Sequence, residues 1–280
     1  KELEKTVSNK QVDERFWKPE VDASGNGYAV IRFLPAPDGE TVPWAKVYSH
    51  AFQGPGGWYI ENSLTTIGDK DPVGEVNRRL WNSGEDADKD TARKQKRKLS
   101  YYSNIYVVKD PKHPENEGKV FLYKYGKKIH DKILAAMQPE FQDETPVNVF
   151  DLWEGANFKL KIKKVAGFWN YDSSEFDSIS ALSADDTELE ATWKSEHSLE
   201  AFTAADQFKS YEDLEKRLNL VLGSAPRPTA PSVDSEEYEP VAAPQSDFRA
   251  KMSAPTPVKQ EAVVEDDDAL SYFASLASDD

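Results

Sequence analysis

The chain has 280 residues, with 50 Asp/Glu against 35 Lys/Arg, a formal charge of −15 and no cysteine. That length allows one large or two small domains with real cores, and the missing thiols exclude disulfides and thiolate metal sites while permitting a reducing compartment. With 38% hydrophobic and 30% charged residues, no apolar run near the ~18 residues of a membrane span and no signal peptide, part of the chain is expected to be unfolded and none to cross a membrane.

In chain order, residues 1–20 are polar and read as a frayed lead-in. Ser24-Gly25-Asn26-Gly27 is a turn signal, and Gly27–Leu34 is a run of β-formers ended by Pro35-Ala36-Pro37-Asp38-Gly39. Trp44–Phe52 and Trp58–Glu61 read as strands around the Gly-Pro-Gly-Gly loop at 54–57, which lacks the lysine of a phosphate-binding loop. Residues 62–92 look irregular, with one short helical face at Val76, Leu80 and Trp81 and a polar loop over Asn82–Thr91. Tyr101–Val108 and Lys119–Tyr125 predict a long hairpin across the turn Asp110–Gly118, and Ile129, Ile133 and Met137 predict a helix over Gly126–Met137. Val147–Trp153 and Asn157–Val165 read as strands. The second alternates Phe158, Leu160 and Ile162 with Lys159, Lys161 and Lys163, the pattern of a half-buried strand with a solvated lysine face. Gly167–Tyr171 is a turn crowded with rings, and residues 172–205 are acidic and poorly periodic. Ser210–Leu222 predicts a helix, with Ser210 and Asp213 at capping-box spacing, Leu214, Leu218 and Val221 on one face and Gly223 as its stop.

Beyond Gly223 the composition changes. Residues 224–259 are rich in proline and read as a disordered linker, and 260–280 as an acidic tail with a small apolar centre at Leu270, Tyr272, Phe273 and Leu276. Residues 224–280 hold twelve Asp/Glu against four Lys/Arg. The opposite charge is concentrated in Arg93–Lys132, where twelve Lys/Arg face four Asp/Glu among Tyr101, Tyr102, Tyr106, Phe121, Tyr123 and Tyr125. Cations beside flat rings suit single-stranded nucleic acid: lysine and arginine neutralise phosphates, and aromatic faces stack on unpaired bases with little sequence preference. The same pattern also fits a solvated charged face over half-buried packing tyrosines. No HExxH, GxSxG or paired-acid motif is present, and the four histidines, His50, His113, His130 and His197, are scattered, so the chain reads as a non-enzyme.

Four stretches resemble the T4-type bacteriophage single-stranded DNA-binding protein family. They are AVIRFLP at Ala29–Pro35; KRK-x-SYYSNI-x-VVKDP at Lys96–Pro111 with HPENEGKVF at His113–Phe121; YGKKI-x-DKI at Tyr125–Ile133; and WEGANFKLKIKKVAGFWNYD at Trp153–Asp172. The resemblance implies a mainly β (α+β) architecture. An OB-fold barrel core over residues 21–223 would carry a small accessory subdomain at about 50–92, flanking helices and a disordered acidic C-terminal tail. It implies cooperative, sequence-tolerant coating of single-stranded DNA in replication, recombination and repair, in the cytoplasm of the infected bacterial host. The tail would dock phage replication and recombination proteins; charge alone also lets it compete for the cleft. The alternative on the same framework is an RNA-binding or scaffold protein.

By matching position, Arg32, Arg97, Tyr102, Tyr123, Phe168 and Tyr171 fall in or beside motifs lining the family's cleft. Arg93, Lys94, Lys96, Lys98, Tyr101, Tyr106, Lys124, Tyr125, Lys127 and Lys128 complete the expected DNA-binding set, with Tyr101 the preferred stacking ring. Two departures stand out. The family holds zinc with one histidine and three cysteines; here His50 keeps the histidine position, while Ser63, Asp71 and Gly74 stand at the cysteine positions, so no zinc is expected. The zinc-less subdomain is expected to be held by Trp58, Ile60, Ile67, Val76 and Trp81. The family's basic N-terminal arm is not recognisable in Lys1–Lys10, so either the arm is truncated or cooperativity is altered.

Overall fold

The computed structural model describes residues 13–141 and 143–223. Within these, nine strands form one connected sheet: β1 (Phe16–Trp17), β2 (Gly27–Phe33), β3 (Ala45–Gly54), β4 (Gly57–Asn62), β5 (Lys98–Lys109), β6 (Val120–Tyr125), β7 (Ala156–Val165), β8 (Phe168–Asn170) and β9 (Glu175–Ile179). Five α-helices flank it: α1 (Pro72–Asn82), α2 (Asp86–Gln95), α3 (Lys127–Met137), α4 (Asp186–Lys194) and α5 (Tyr211–Leu222). The architecture is mixed and dominated by the sheet.

β5 is the hub. Its first half pairs antiparallel with β3, from Lys98↔Ser49 to Tyr102↔Ala45, and its second half with β2, while β6 lies along the other edge as the predicted hairpin. β2 sits between β5 and β7, and Ala29–Phe33 are buried without alternation, as expected of a strand covered on both faces. The main core gathers Ile31, Phe33, Ile105, Val107, Tyr123, Tyr125, Ile129, Ile133, Phe158, Leu160 and Ile162. Each of its larger aliphatic or Phe side chains contributes about 1.5–3 kcal/mol by leaving water.

A smaller core lies under the β3–β4 hairpin. Phe52, Tyr59, Leu64 and Val73 meet Leu214, Leu218 and Val221 of α5, with Ile67 and Val76 packed against them. The expected roles of Trp58 and Ile60 are thus corrected: they alternate with buried Tyr59 and point outward, 53% and 64% exposed. Trp81 instead lies under the Arg93 guanidinium. α5 is built as predicted. Ser210 Oγ accepts from Asp213 N at 3.2 Å, and Gly223 ends the helix in the left-handed region. The glycine loop serves this packing, since a Cβ on Gly56 would collide with the Leu220 carbonyl.

Four further expectations are corrected. Residues 16 and 17 are not lead-in: β1 pairs parallel with β6, and buried Trp17 donates through Nε1 to Asp110 Oδ2 at 2.8 Å. Asn82–Thr91 is not a loop, because α2 begins at Asp86. Val147–Trp153 is not a strand; Asn148 and Asp151 accept backbone N–H groups of Phe150, Trp153 and Glu154 and turn the chain, while Val149 and Phe150 enter the core. Gly167–Tyr171 belongs to a β7–β8 hairpin, with positive φ at Ala166 and Gly167. The expected N-terminal arm, Pro-rich linker and acidic tail lie outside the described residues.

Candidate nucleic-acid interface

Strand alternation divides β5 into two faces. Tyr101, Ser103, Ile105 and Val107 face the main core, and Ser100, Tyr102, Asn104 and Tyr106 the other side. That second side is covered as well. Asn104 donates to the His197 carbonyl at 2.8 Å and accepts from His197 N at 2.9 Å. Glu40 accepts from Ser198 Oγ and Leu199 N, and Trp193 Nε1 donates to the Ala36 carbonyl. The segment from Leu182 to Phe202 is thereby tied across the sheet.

Most of the expected stacking rings are therefore turned inward. Tyr101 is buried and lies flat on His130, ring centroids 3.8 Å apart. Tyr123 and Tyr125 are buried in the same core, and Tyr125 shares a hydrogen bond with Ser103. Burial pushes the phenols of Tyr123 and Tyr125 well above their usual range. Tyr102 is half-buried, stacked on Phe202 at 4.4 Å, and Tyr106 packs with Leu34, Leu152 and Leu189. Arg32 is fully buried, donating to Asn157 Oδ1 and the Ser180 carbonyl, and burial lowers its pKa against the opposing pull of Asp151. None of Arg32, Tyr101, Tyr123 and Tyr125 presents a free face to a ligand.

The cations fare differently. Arg93 pairs with Asp90 and covers Trp81, and Lys94 is exposed on the same helix. Lys96 and Arg97 lie in the short crossing to β5, with Arg97 3.9 Å above the Tyr48 ring. Lys127 pairs with Asp131, and Lys128 approaches Asp172 at 3.8 Å. On β7, Lys159 and Lys161 are neutralised by Asp177 and Glu175. Lys163 and Lys164 are exposed with no carboxylate partner among the described residues. The hairpin beyond them bares Val165, Phe168 and Trp169, while Tyr171 tucks partly against the core.

One groove collects several of these features. A space of about 650 Å³ opens where β4, β3, β5 and β6 run side by side, lined by Ser49, Ala51, Ile60, Lys98, Ser100 and Lys124. Gln207 and Lys209 wall it. Ala51↔Ile60, Ser49↔Lys98 and Tyr102↔Lys124 are cross-strand neighbours, so these side chains share one surface. Lys209 is engaged with Glu61 at 2.6 Å, whereas neither Lys98 nor Lys124 has a carboxylate partner among the described residues. Lys98 and Lys124 were legible in the sequence; Ile60, Gln207 and Lys209 were not, because only the fold brings them to the same groove.

The positions implied for zinc converge on a hydrogen-bonded cluster. Asp71 caps α1, accepting from Val73 N and Gly74 N, and also from Ser63 Oγ at 2.9 Å and Leu64 N at 3.1 Å. His50 Nε2 lies 3.2 Å from Asp71 Oδ1, and His50 Nδ1 lies 3.1 Å from the Gln95 carbonyl. Burial pushes the Asp71 carboxyl up, but His50, then Ser63 and the Gly74 N–H, outweigh it and hold the pKa below the usual carboxylate value. This donor set does not fit a structural zinc: it offers no thiolate, and both carboxylate oxygens already face several donors. No cluster of three or more metal-ligating side chains occurs among the described residues.

The gp32 DNA binding protein like family matches residues 25–222. The chain belongs to that family. This gp32-like chain is 43% identical over 233 residues to the single-stranded DNA-binding protein of Enterobacteria phage T2, covering 82% of the chain and 77% of the relative. Identity to the single-stranded DNA-binding protein of Enterobacteria phage T4 is 42% with the same coverage. A single-stranded DNA-binding protein of Escherichia phage SV14 matches over 59 residues at 49% identity, covering 21% of this chain and 52% of the relative. These relatives are named as binding proteins, and the adjacent acids of this gp32-like chain have structural work: Asp185 caps α4 and Asp186 accepts from Trp153 Nε1. No helix among the described residues is long and apolar enough to cross a membrane.

Proposed function

We propose that the chain binds single-stranded DNA without reading its sequence, in the groove between the β3–β4 hairpin and β5–β6. The observation that carries this is the pair of lysines, Lys98 and Lys124, without carboxylate partners among the described residues, beside exposed Ile60 on one continuous sheet surface. Phosphates suit the ammonium groups, and the exposed Ile60 side chain suits base or sugar faces. The names of the phage relatives support the same ligand. The β7–β8 hairpin, with Phe168, Trp169, Lys163 and Lys164, offers further ring and cation contacts.

In this reading the sheet around β5 is an OB-type core, and the lobe built on β3, β4 and α1 is the accessory subdomain. The chain coats strands cooperatively in phage replication, recombination and repair within the infected host's cytoplasm. Residues 260–280 supply an acidic docking segment for replication proteins. The test is a titration of tryptophan emission with a mixed-sequence oligodeoxynucleotide at several salt concentrations. Quenching with an affinity that falls steeply with salt is expected, and a flat salt response overturns the reading. A matched oligoribonucleotide in competition separates DNA from RNA preference, because only contacts at the 2′-hydroxyl distinguish them.

A further inference from the structure

We infer that a buried hydrogen-bonded cluster of His50, Ser63 and Asp71 does in this chain the cross-linking that zinc would do with a His/Cys ligand set. The inference stands on the cluster's geometry and not on nucleic-acid binding.

Three separate pieces of chain meet at the cluster. His50 lies on β3, Ser63 and Leu64 follow β4, and Asp71 opens α1. Gln95, whose carbonyl faces the ring, is the last residue of α2. All three side chains, His50, Ser63 and Asp71, are buried, at 1%, 0% and 3% exposure. A structural metal would link the same pieces through its ligands.

The hydrogen positions follow from the partners. A carbonyl oxygen only accepts, so the His50 Nδ1 facing Gln95 carries a hydrogen. The other ring nitrogen, Nε2, lies 3.2 Å from Asp71 Oδ1, and the Asp71 carboxylate accepts from the Ser63 hydroxyl and the Leu64, Val73 and Gly74 N–H groups. A buried carboxylate satisfied in this way is held in place, and removing its partners strands the charge. A structural zinc would have to take these oxygens from their donors, with no thiolate to complete its ligand set.

The arrangement also places the basic run. Gln95 is followed directly by Lys96, Arg97 and Lys98, so the hydrogen bond from His50 fixes where α2 ends and where these cations enter β5 beside the groove. The cluster positions those side chains without touching a ligand itself.

The test uses the full chain, expressed with zinc supplied. Elemental analysis is expected to find well under one zinc per chain, and a strong chelator is expected to leave the melting midpoint unchanged. One zinc per chain, or a midpoint lowered by chelation, overturns the inference. Nitrogen-15 spectra of the imidazoles are expected to show a hydrogen on His50 Nδ1, where the Gln95 carbonyl accepts it, and a bare Nδ1 overturns the inference even where variants fail to fold. Asp71→Asn keeps the shape and removes the charge; His50→Gln removes the ring. Each is expected to lower the melting midpoint by roughly 10 °C. The double variant is expected to be little worse than either single one, as for partners in one interaction. Fully additive losses would mean that the two residues act separately.

Discussion

Tyr101 lies flat against His130, with ring centroids 3.8 Å apart and planes 13° apart. The pair joins β5 to α3 inside the main core, with Tyr125 beside it, 5.7 Å from Tyr101 and 6.5 Å from His130 between ring centroids. Tyr101→Ala is therefore expected to cost folding stability, by roughly 3 kcal/mol for loss of a buried ring. Tyr101→Phe should retain most of it. Urea unfolding of both variants checks this; an unchanged midpoint in the alanine variant, with weakened oligonucleotide binding, would mean that the ring serves the ligand instead.

Lys98 and Lys124 should show the opposite behaviour. Both are exposed and end in the groove, so replacing them with alanine leaves the fold intact. If each neutralises one phosphate, the slope of log affinity against log salt becomes shallower by about 0.7 per lysine on a single strand. Equilibrium titrations of the single and double variants at four salt concentrations measure it. A double variant with the parental slope places the strand elsewhere.

The β7–β8 hairpin carries a separate expectation. Trp169 is 48% exposed and Phe168 36%, and neither is needed to fill a core. Trp169→Ala is expected to weaken single-strand binding by about 1–3 kcal/mol if one base stacks there, with the unfolding midpoint unchanged. Binding assays on oligonucleotides of increasing length check the contribution. Equal affinity at every length would remove the hairpin from the interface.

Glu196 gives a pH dependence whose sign can be worked out. Its two carboxylate oxygens are buried with no hydrogen-bond partner among the described residues, and burial, with Glu40 nearby, pushes its pKa from an ordinary 4.5 up to about 8. Between those two values the folded chain holds a proton that the unfolded chain has released. Stability contributed by the protonated form is complete below the lower value and is lost as pH rises through the window. Glu196→Gln should flatten that decline and melt higher than the parent near pH 8. Thermal melts from pH 5 to 9 decide it; parallel profiles would show that Glu196 is solvated.

The contrast between legible and hidden features has a physical basis. β2, the β5–β6 hairpin, β7, α3 and α5 announce themselves by alternation, β-branching or a four-residue apolar repeat, and the structure keeps their ends within a residue or two, except that β5 begins at Lys98, three residues before the expected Tyr101. α2 does not, because only Ala92 and Gln95 are buried in an otherwise polar helix that leans on its neighbours. Val147–Phe150 has strand-like composition, but Asn148 and Asp151 divert the backbone into turns. The largest difference concerns the tyrosines. Period-two alternation assigns Tyr101 and Tyr102 to opposite faces of β5, but it says nothing about what covers each face. The second cover comes from Leu182–Phe202, a segment with weak periodicity that is held by Asn104 and Glu40. The charge pattern located Lys98 and Lys124; which rings stay open depended on contacts between residues far apart in the chain.

The small core has one wall, α5, that is made last. Phe52, Tyr59, Leu64 and Val73 emerge early from the ribosome, while Leu214, Leu218 and Val221, which complete their burial, lie at the far end of the described chain. During synthesis those early side chains must wait, exposed to solvent or to a chaperone, until the helix capped by Ser210 arrives. A chain ending before that point would leave Phe52, Tyr59, Leu64 and Val73 without the wall that covers them.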